Sequence, residues 1–292
     1  MNNILINQNK KENIQRLAAQ RQLYKTAKNI LVLQIILTVP VTIFFSLLKL
    51  IPETAVGFNI AAFAAVYGIL LALIDLFVFN HFINLHRTDA AKVQELFDCD
   101  VYEMDWNNVF VGKKPQQETV NTFARKYVDV PGSPLSDWYP IEIAQMPREM
   151  AILTCQKTNL YYDSSLRKKY KNLSILTASI TFVLLLLISL STHITLQSFI
   201  VQILAPFLPV FILTSKIIID HSKAIKSASE FHQSLDSVVD PHNLPSIDRL
   251  RAVQDKIYCH RKDSPLIPDF FYDKKRANLE TEMHENASVK KD

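Results

Sequence analysis

Four long apolar runs, grouped in two close pairs, constrain the fold of this chain more than any other feature. Each run is close to the about 20 residues that a helix needs to cross a hydrocarbon core of roughly 30 Å. Only short polar stretches separate the members of each pair, and connections of that length make neighbouring helices antiparallel. The sequence therefore predicts an all-α membrane protein with four transmembrane helices, arranged as two antiparallel hairpins. The four runs are residues 30–51, 58–80, 173–192 and 198–219.

The distribution of Lys and Arg predicts the orientation of the hairpins. Six basic residues and a single acid, Glu12, precede the first run, and residues 167–171 before the third run read RKKYK. The two turns, residues 52–57 and 193–197, contain no Lys or Arg. Because basic residues are retained on the cytoplasmic side, we expect both termini and the long middle segment to be cytoplasmic. The first run has no small-residue cleavage site before it, so we expect it to remain as a span.

The parts outside the membrane are expected to form a mostly helical cytoplasmic module. Apolar spacing continues the second run as a helix, residues 99–106 alternate as an extended segment would, and residues 120–128 fit an amphipathic helix. A further helix is expected from residue 142, interrupted at Pro147, and Ser246 has the position of a helix N-cap. The predicted units are a cytoplasmic N-terminal segment (1–29), the first hairpin (30–80), a cytoplasmic middle region (81–172), the second hairpin (173–219) and a cytoplasmic tail (220–292) that is disordered from about residue 279.

Two ionisable residues within the apolar runs are candidates for a role in a pore or its gate. Asp75 lies about one turn from the cytoplasmic end of the second run, and Lys216 lies at a similar depth in the fourth. Gln34 of the first run is at about the same level. The two charges can pair between the hairpins, or each can reach the headgroup interface, as Lys side chains readily do.

Hydroxyl, proline and small residues give the runs further features. Thr177 and Thr181 share one face of the third run, where they can line water or bond back to their own helix. Pro206 and Pro209 each remove a backbone donor from the fourth run, so we expect a kink there and consider both for gating. Small residues on one face of the second run suit close packing, either within the hairpin or between subunits. They are Gly57, Ala61, Ala65, Gly68 and Ala72.

The chain lacks the motifs that would indicate an enzyme. A phosphate-binding Gly-rich loop is absent from a chain with only four glycines, and so are the HExxH, CxxC and GxSxG patterns. Cys99, Cys155 and Cys259 do not have the spacing of metal ligands. We therefore expect no catalytic residues, no metal, no cofactor and no enzymatic activity.

Aromatic and basic residues concentrate in the middle region. Trp138 and Tyr139, together with Arg167, Lys168 and Lys169, can hold a nucleotide or another anionic ligand. In the alternative interpretation the aromatic residues form the core of the module. The basic residues then contact anionic lipid, where each contributes about 1 kcal/mol.

Four stretches carry a resemblance to a known family: FDCDVYEMDWN (97–107), WYP (138–140), CQKTNLYYDSSLRKKY (155–170) and LRAVQDKIYCHRKDSPLIPDFFY (250–272). Their order and position around the four runs resemble the SMODS-associating four-transmembrane family of pore-forming effectors. Members of that family occur in bacterial conflict systems beside cGAS-like nucleotidyltransferases. The resemblance covers nearly the whole chain. One departure is Phe270, where Trp is more usual, and this exchange of aromatic residues leaves packing largely unchanged.

The resemblance implies a pore-forming effector in the inner membrane of a bacterium, acting in an antiphage (abortive infection) system. A cytoplasmic signal, such as a cyclic nucleotide from an upstream nucleotidyltransferase, would trigger it to permeabilise or depolarise the membrane. Four spans are too few to enclose a sizeable pore, so we expect a homo-oligomer in the lipid bilayer, with no nucleic-acid partner. The alternative is a non-conducting membrane scaffold or sensor that recruits a partner through the cytoplasmic module.

Overall fold

The computed structural model describes residues 2–48, 57, 59–129, 135–139, 141–191, 195–238 and 244–271. Two sequence predictions fall largely outside these ranges. One is the tail that we expect to be disordered from about residue 279, and the other is the pair of short turns that close the hairpins.

The described residues form helices and connecting segments, without a strand. Two five-residue π-helical segments, Asp75–Phe79 and Ile200–Leu204, lie within the apolar runs, and a 3₁₀ turn covers Ile141–Gln145. The α-helices are α1 (Ile4–Gln8), α2 (Lys11–Leu48), α3 (Ile60–Ile74), α4 (Asn80–Tyr102), α5 (Gln117–Lys126), α6 (Arg148–Ser191), α7 (Leu196–Phe199), α8 (Ala205–Val238) and α9 (Ile247–Asp263).

Three helical stretches in the described part of the chain are long and apolar enough to cross a membrane: Lys11–Phe45, Ala62–Tyr102 and Ser164–Ile188. This confirms the predicted all-α membrane protein. At 41 residues, Ala62–Tyr102 is about twice as long as a crossing requires, so we assign only its apolar part, up to residue 80, to the membrane. The fourth predicted run is not among the three, and it contains the π segment Ile200–Leu204, as the second run contains Asp75–Phe79.

The helices that contain the apolar runs continue well beyond them. α2 begins at Lys11 and α6 at Arg148, both far ahead of their apolar runs, while α4 and α8 carry on after theirs. These extensions pack with α1, α5 and α9, and we call this assembly the helical module. Within it α2 packs against α4 and α5, and α6 packs against α8. The apolar runs and the module therefore share continuous helices.

One main core holds the helical module together. Its buried side chains come from α1, α2, α4, α6, α8 and α9 and from the segments next to them, whereas α5 and residues 264–271 pack in separate clusters. Tyr102, Phe97 and Leu153 are among the largest side chains in this core, with at most 2% of their surface exposed. Burying side chains of this size stabilises a fold by about 1.5–3 kcal/mol each.

Three of the local predictions are confirmed. The amphipathic helix is α5, with Val120 fully buried. The helix expected after Pro147 is α6, which begins at the next residue. Ser246 caps α9, because its hydroxyl accepts a hydrogen bond from the backbone N–H of Arg249 at 3.4 Å.

The extended segment expected over residues 99–106 is wrong for its first half. α4 runs to Tyr102 and ends where Glu103 adopts a left-handed conformation (φ 57°). Phe97, Val101 and Tyr102 are spaced for one helix face and all enter the main core. The short alternation of apolar and polar residues could not reveal this, because the packing partners of that face lie in α6 and α9.

Candidate functional site

A cleft lined by both apolar and polar side chains lies where the apolar parts of the helices meet the helical module, and we call it the polar cleft after its charged residues. Its volume is about 680 Å³, within the roughly 300–1,000 Å³ that is typical of small-molecule sites. Residues of α2, α4, α6, α8 and α9 line it, together with the segment that follows α9. The charged residues of its lining are Arg87, Lys216, Asp220, Lys223, Glu230, Lys256 and Asp263.

Arg87 forms part of the cleft wall on the α4 side. It donates one hydrogen bond to the carbonyl of Ser264 at 3.1 Å and another to the Oδ1 atom of Asn84 at 2.9 Å. Burial lowers the pKa of Arg87, whereas the carboxylates of Asp263 and Asp220 act in the opposite direction. The guanidinium is therefore a fixed structural cation at this wall.

Arg167, one of the predicted ligand residues, lies beside the same wall. It is buried, and its Nη1 atom donates to the carbonyl of Pro265 at 2.5 Å. The two arginines thus bind consecutive carbonyl groups of one segment. Lys168 is exposed and Lys169 is half-buried.

The segment after α9, residues 264–271, is anchored to three helices at once. We call it the C-terminal segment. Besides its bonds to Arg87 of α4 and Arg167 of α6, it pairs through Asp269 with Lys28 of α2 at 2.5 Å. Its Phe271 packs on Tyr170 of α6, with ring centroids 5.3 Å apart. The neighbouring Phe270 is 65% exposed, which agrees with the small effect expected of Phe at this position.

The other two predicted ligand residues lie in a different part of the module. Tyr139 is buried in the main core, and its hydroxyl contacts that of Tyr102 at 2.6 Å and donates to Asp98 at 3.2 Å. Trp138 is half-buried, with the guanidinium of Arg21 over its ring at 5.3 Å. The structure therefore divides the predicted ligand residues between the core and the neighbourhood of the cleft.

A buried ionic network joins α4 to α9 behind the cleft. Glu95 pairs with Arg251 and Asp98 with Arg261, each at 2.5 Å, and both carboxylates accept hydrogen bonds from the amide of Gln254. Burial raises the pKa of Glu95, and the nearby Asp98 adds to this, while Arg251 opposes them. The network fixes α9 in place, and α9 in turn forms one side of the cleft.

Sequence analysis did not identify this network, although a signal for it exists. Glu95 and Asp98 fall on the same face of α4 as the buried Ala91 and Tyr102. Acidic residues at core positions of an amphipathic helix require a buried partner, since an unpaired buried charge is costly. Among the described residues, no group of three or more His, Cys, Asp or Glu side chains is arranged to hold a metal ion.

A chain of polar side chains runs from the cleft into the apolar region. Asp75 accepts hydrogen bonds from Gln34 of α2 and from Asn80, the latter at 3.5 Å, and Asn80 accepts one from Lys216 of α8. Asp75 and Lys216 are thus linked through Asn80, and no direct ion pair joins them in the described part of the chain. We call these four residues the intramembrane chain, and three of them, Gln34, Asn80 and Lys216, also line the cleft.

The π segment Asp75–Phe79 explains why Asp75 and Asn80 can meet. Residues five apart point about 140° away from each other in a regular α-helix. Here the backbone N–H of Asn80 bonds the carbonyl of Asp75, as π-helical geometry requires, and this brings the two side chains to one face. Such segments occur frequently at functional sites.

The remaining pore candidates are placed as follows. The hydroxyls of Thr177 and Thr181 donate to the carbonyls of Leu173 and Thr177, each at 2.9 Å. Both side chains thus bond back to their own helix, which was one of the two roles that the sequence left open for them. Pro209 lies inside α8, and Pro206 is the second residue of that helix, separated by Ala205 from the π segment Ile200–Leu204. Because Pro206 lacks the N–H that would bond the carbonyl four residues earlier, this irregular backbone is where the kink was expected.

These features define an all-α membrane protein whose spanning helices continue into a helical module, with a polar cleft at their junction. The chain matches the SMODS-associating 4TM effector domain over residues 2–289, and it therefore belongs to this family. It is also similar to a protein of Bacillus cereus (strain VD146) described as a probable CBASS effector molecule. The two are 25% identical over 273 residues, which cover 92% of each chain. No solved structure matches the chain.

Proposed function

We propose that this protein is a pore-forming effector of an antiphage system, which permeabilises the bacterial inner membrane when a cyclic nucleotide appears in the cytoplasm. Loss of the membrane potential would then end the infection together with the infected cell. Membership of the 4TM effector family and the similarity to a probable CBASS effector support this role. The observation that carries the mechanism is that the polar cleft and the intramembrane chain share three residues, Gln34, Asn80 and Lys216.

In this proposal a signal received by the helical module reaches the membrane along continuous helices. α2, α6 and α8 extend from the module into apolar runs, and α4 connects to α3 through the π segment Asp75–Phe79. A helix that moves at one end moves at the other, so a change in the cleft can rearrange the hairpins. The charge distribution supports a cytoplasmic module with both termini on the same side.

The pore itself requires several copies of the chain. Four helices enclose too little space for a sizeable pore, so we propose a homo-oligomer in the bilayer. The apolar runs expose large side chains that lipid or another copy can cover. Examples are Phe77, Leu184 and Phe211, which are 68%, 54% and 62% exposed.

The first experiment is to measure membrane potential and dye entry in cells that produce the protein, with and without an active upstream nucleotidyltransferase. The proposal predicts depolarisation that requires the active enzyme. If the membrane stays intact in both cases while the protein is confirmed in it, the pore is wrong and the non-conducting scaffold is favoured. Depolarisation without the enzyme would support the pore and contradict the nucleotide trigger.

A further inference from the structure

We infer that the polar cleft is the receptor site for a phosphate-bearing nucleotide, held between Lys223 of α8 and Lys256 of α9, and that its binding draws Lys216 away from the intramembrane chain. This inference rests on the proposed function and specifies where the signal binds. It also assigns the step by which binding reaches the membrane.

The two lysines are the cations in the cleft that are available to a ligand. Both are exposed and line the cleft from different helices. Within the described ranges, neither forms an ion pair or a hydrogen bond, whereas Arg87 and Lys216 of the same lining donate to Ser264 and Asn80. Ammonium groups on two sides of a cleft favour an anion between them, and phosphate is the anion that Lys commonly binds in proteins.

The rest of the lining favours a nucleotide over a simple anion. Asp220, Glu230 and Asp263 repel any phosphate group near them, but their oxygens can accept hydrogen bonds from the base amino groups or ribose hydroxyls that only a nucleotide carries. Asn84 and Ser227 provide further polar contacts in the same lining. The volume of about 680 Å³ also far exceeds what a small inorganic ion would occupy.

Lys216 connects such a ligand to the membrane. It lies seven residues before Lys223 on α8, and residues two turns apart share one face of a helix. Its present acceptor is the neutral amide oxygen of Asn80. A phosphate oxygen is a stronger, charge-assisted acceptor, so it would compete for the ammonium group of Lys216. Losing that bond detaches α8 from Asn80 and Asp75, beside the π segment.

The binding test uses the full-length protein in lipid nanodiscs. The probes are cyclic di-AMP, cyclic di-GMP and cyclic GMP–AMP, with inorganic phosphate for comparison. We expect at least one cyclic nucleotide to bind much more tightly than phosphate. Lys256→Glu should weaken this binding by about tenfold or more, since it removes a hydrogen bond to a charged group. Arg249→Glu makes the same charge change at an exposed position of α9 outside the cleft, and it should leave binding unaltered.

A second measurement needs no substitution in the cleft. Cys259 lines the cleft and is half-buried, whereas Cys99 and Cys155 are buried. Burial raises the pKa of all three thiols, that of Cys99 to about 12, so exposure to the reagent and not acidity distinguishes Cys259. A thiol reagent should therefore modify mainly Cys259, and the bound nucleotide should slow that reaction.

The outcomes separate this inference from the proposed function. If none of the cyclic nucleotides binds, or if Lys256→Glu binds as tightly as the native protein, the cleft is not the receptor. If cells depolarise only with the nucleotidyltransferase while Lys256→Glu binds the cyclic nucleotide normally, the proposed pore is supported and the assignment of the cleft as receptor is wrong. If the nucleotide protects Cys259 from the thiol reagent but the membrane stays intact, the cleft assignment is supported and the proposed pore is wrong.

Discussion

At the scale of single residues, the buried carboxylates of the helical module show that a charge in a packed core needs a partner of opposite charge. Glu95 is fully buried and Asp98 is 1% exposed, yet neither is isolated, because α9 supplies two guanidinium groups and the amide of Gln254. Pairs of this kind add little net stability while intact. Their main effect is specificity, since α9 can satisfy both carboxylates only in one register against α4.

Removing one partner of this network should therefore be costly. We expect Arg251→Met to lower the free energy of unfolding by about 3 kcal/mol, at the low end of the roughly 3–5 kcal/mol for breaking buried pairs, because Arg251 is partly exposed. Chemical unfolding in detergent, followed by circular dichroism, measures this change. Arg249→Met, on the exposed side of the same helix, is the matched control and should change stability little.

The loss of stability in Arg251→Met should also depend on pH. Without Arg251, burial and Asp98 still raise the pKa of Glu95, so the folded state binds a proton more tightly than the unfolded state. Stability then falls as pH rises from the ordinary Glu value of about 4.3 through the raised value. The Arg251→Met variant should lose less stability at about pH 5 than at about pH 8. An equal loss at both would contradict the role assigned to Glu95.

At the scale of helices, the π segment Asp75–Phe79 determines how the first hairpin is joined to the second. Its wider turn places Asn80 where it accepts from Lys216 and donates to Asp75. A regular helix through the same residues would separate these side chains. α2 and α8 also pack directly, and the irregular turn adds the polar link from Lys216 through Asn80 and Asp75 to Gln34.

Replacing the central residue of this link should release the hairpins. We expect Asn80→Leu, which removes both hydrogen bonds at similar size, to depolarise cells without the nucleotidyltransferase. Phe77→Leu changes an exposed side chain of the same π segment and serves as the control. Membrane potential is measured after confirming equal amounts of each variant in the membrane. An Asn80→Leu protein that still depends on the enzyme would show that the link does not hold the closed state.

The sequence predicted helices much better than it predicted the cleft. Apolar runs, the amphipathic α5 and the Ser246 cap depend on residues close together in the chain, so periodicity and local chemistry reveal them. The cleft instead combines Arg87, Lys223 and Lys256, which long stretches of chain separate. No local pattern indicates that these residues meet. Arg167 was chosen for its charge, and its position beside the cleft wall follows only from packing.

At the scale of the whole molecule, the small-residue face of the second apolar run bears on assembly. The sequence alone was compatible both with packing within the hairpin and with packing between subunits. Ala65 and Ala72 are exposed, and a Cβ atom added at Gly68 would meet no atom within 4 Å. This part of the face is therefore not used for packing within the chain, which supports the interpretation that it packs between copies.

A larger residue on that face should block assembly without harming the fold. We expect Gly68→Leu to fold as the native protein does, because its side chain enters open space, but to lose the homo-oligomer and depolarisation. Native mass spectrometry or cross-linking in membranes measures the subunit number. Ile69→Leu, at a neighbouring exposed position, is the control. A Gly68→Leu protein that assembles normally would exclude this face from the interface.

The anchoring of the C-terminal segment has a consequence for biosynthesis. Ser264, Pro265 and Asp269 bind α4, α6 and α2, and all of these helices precede them in the chain. A ribosome therefore delivers both hairpins to the bilayer before the segment that ties them together has been translated. A product truncated before Ser264 would insert its spans but leave the cleft without one of its walls. If the cleft receives the nucleotide as proposed, a chain of that length would not respond to the signal, because its binding site is completed last.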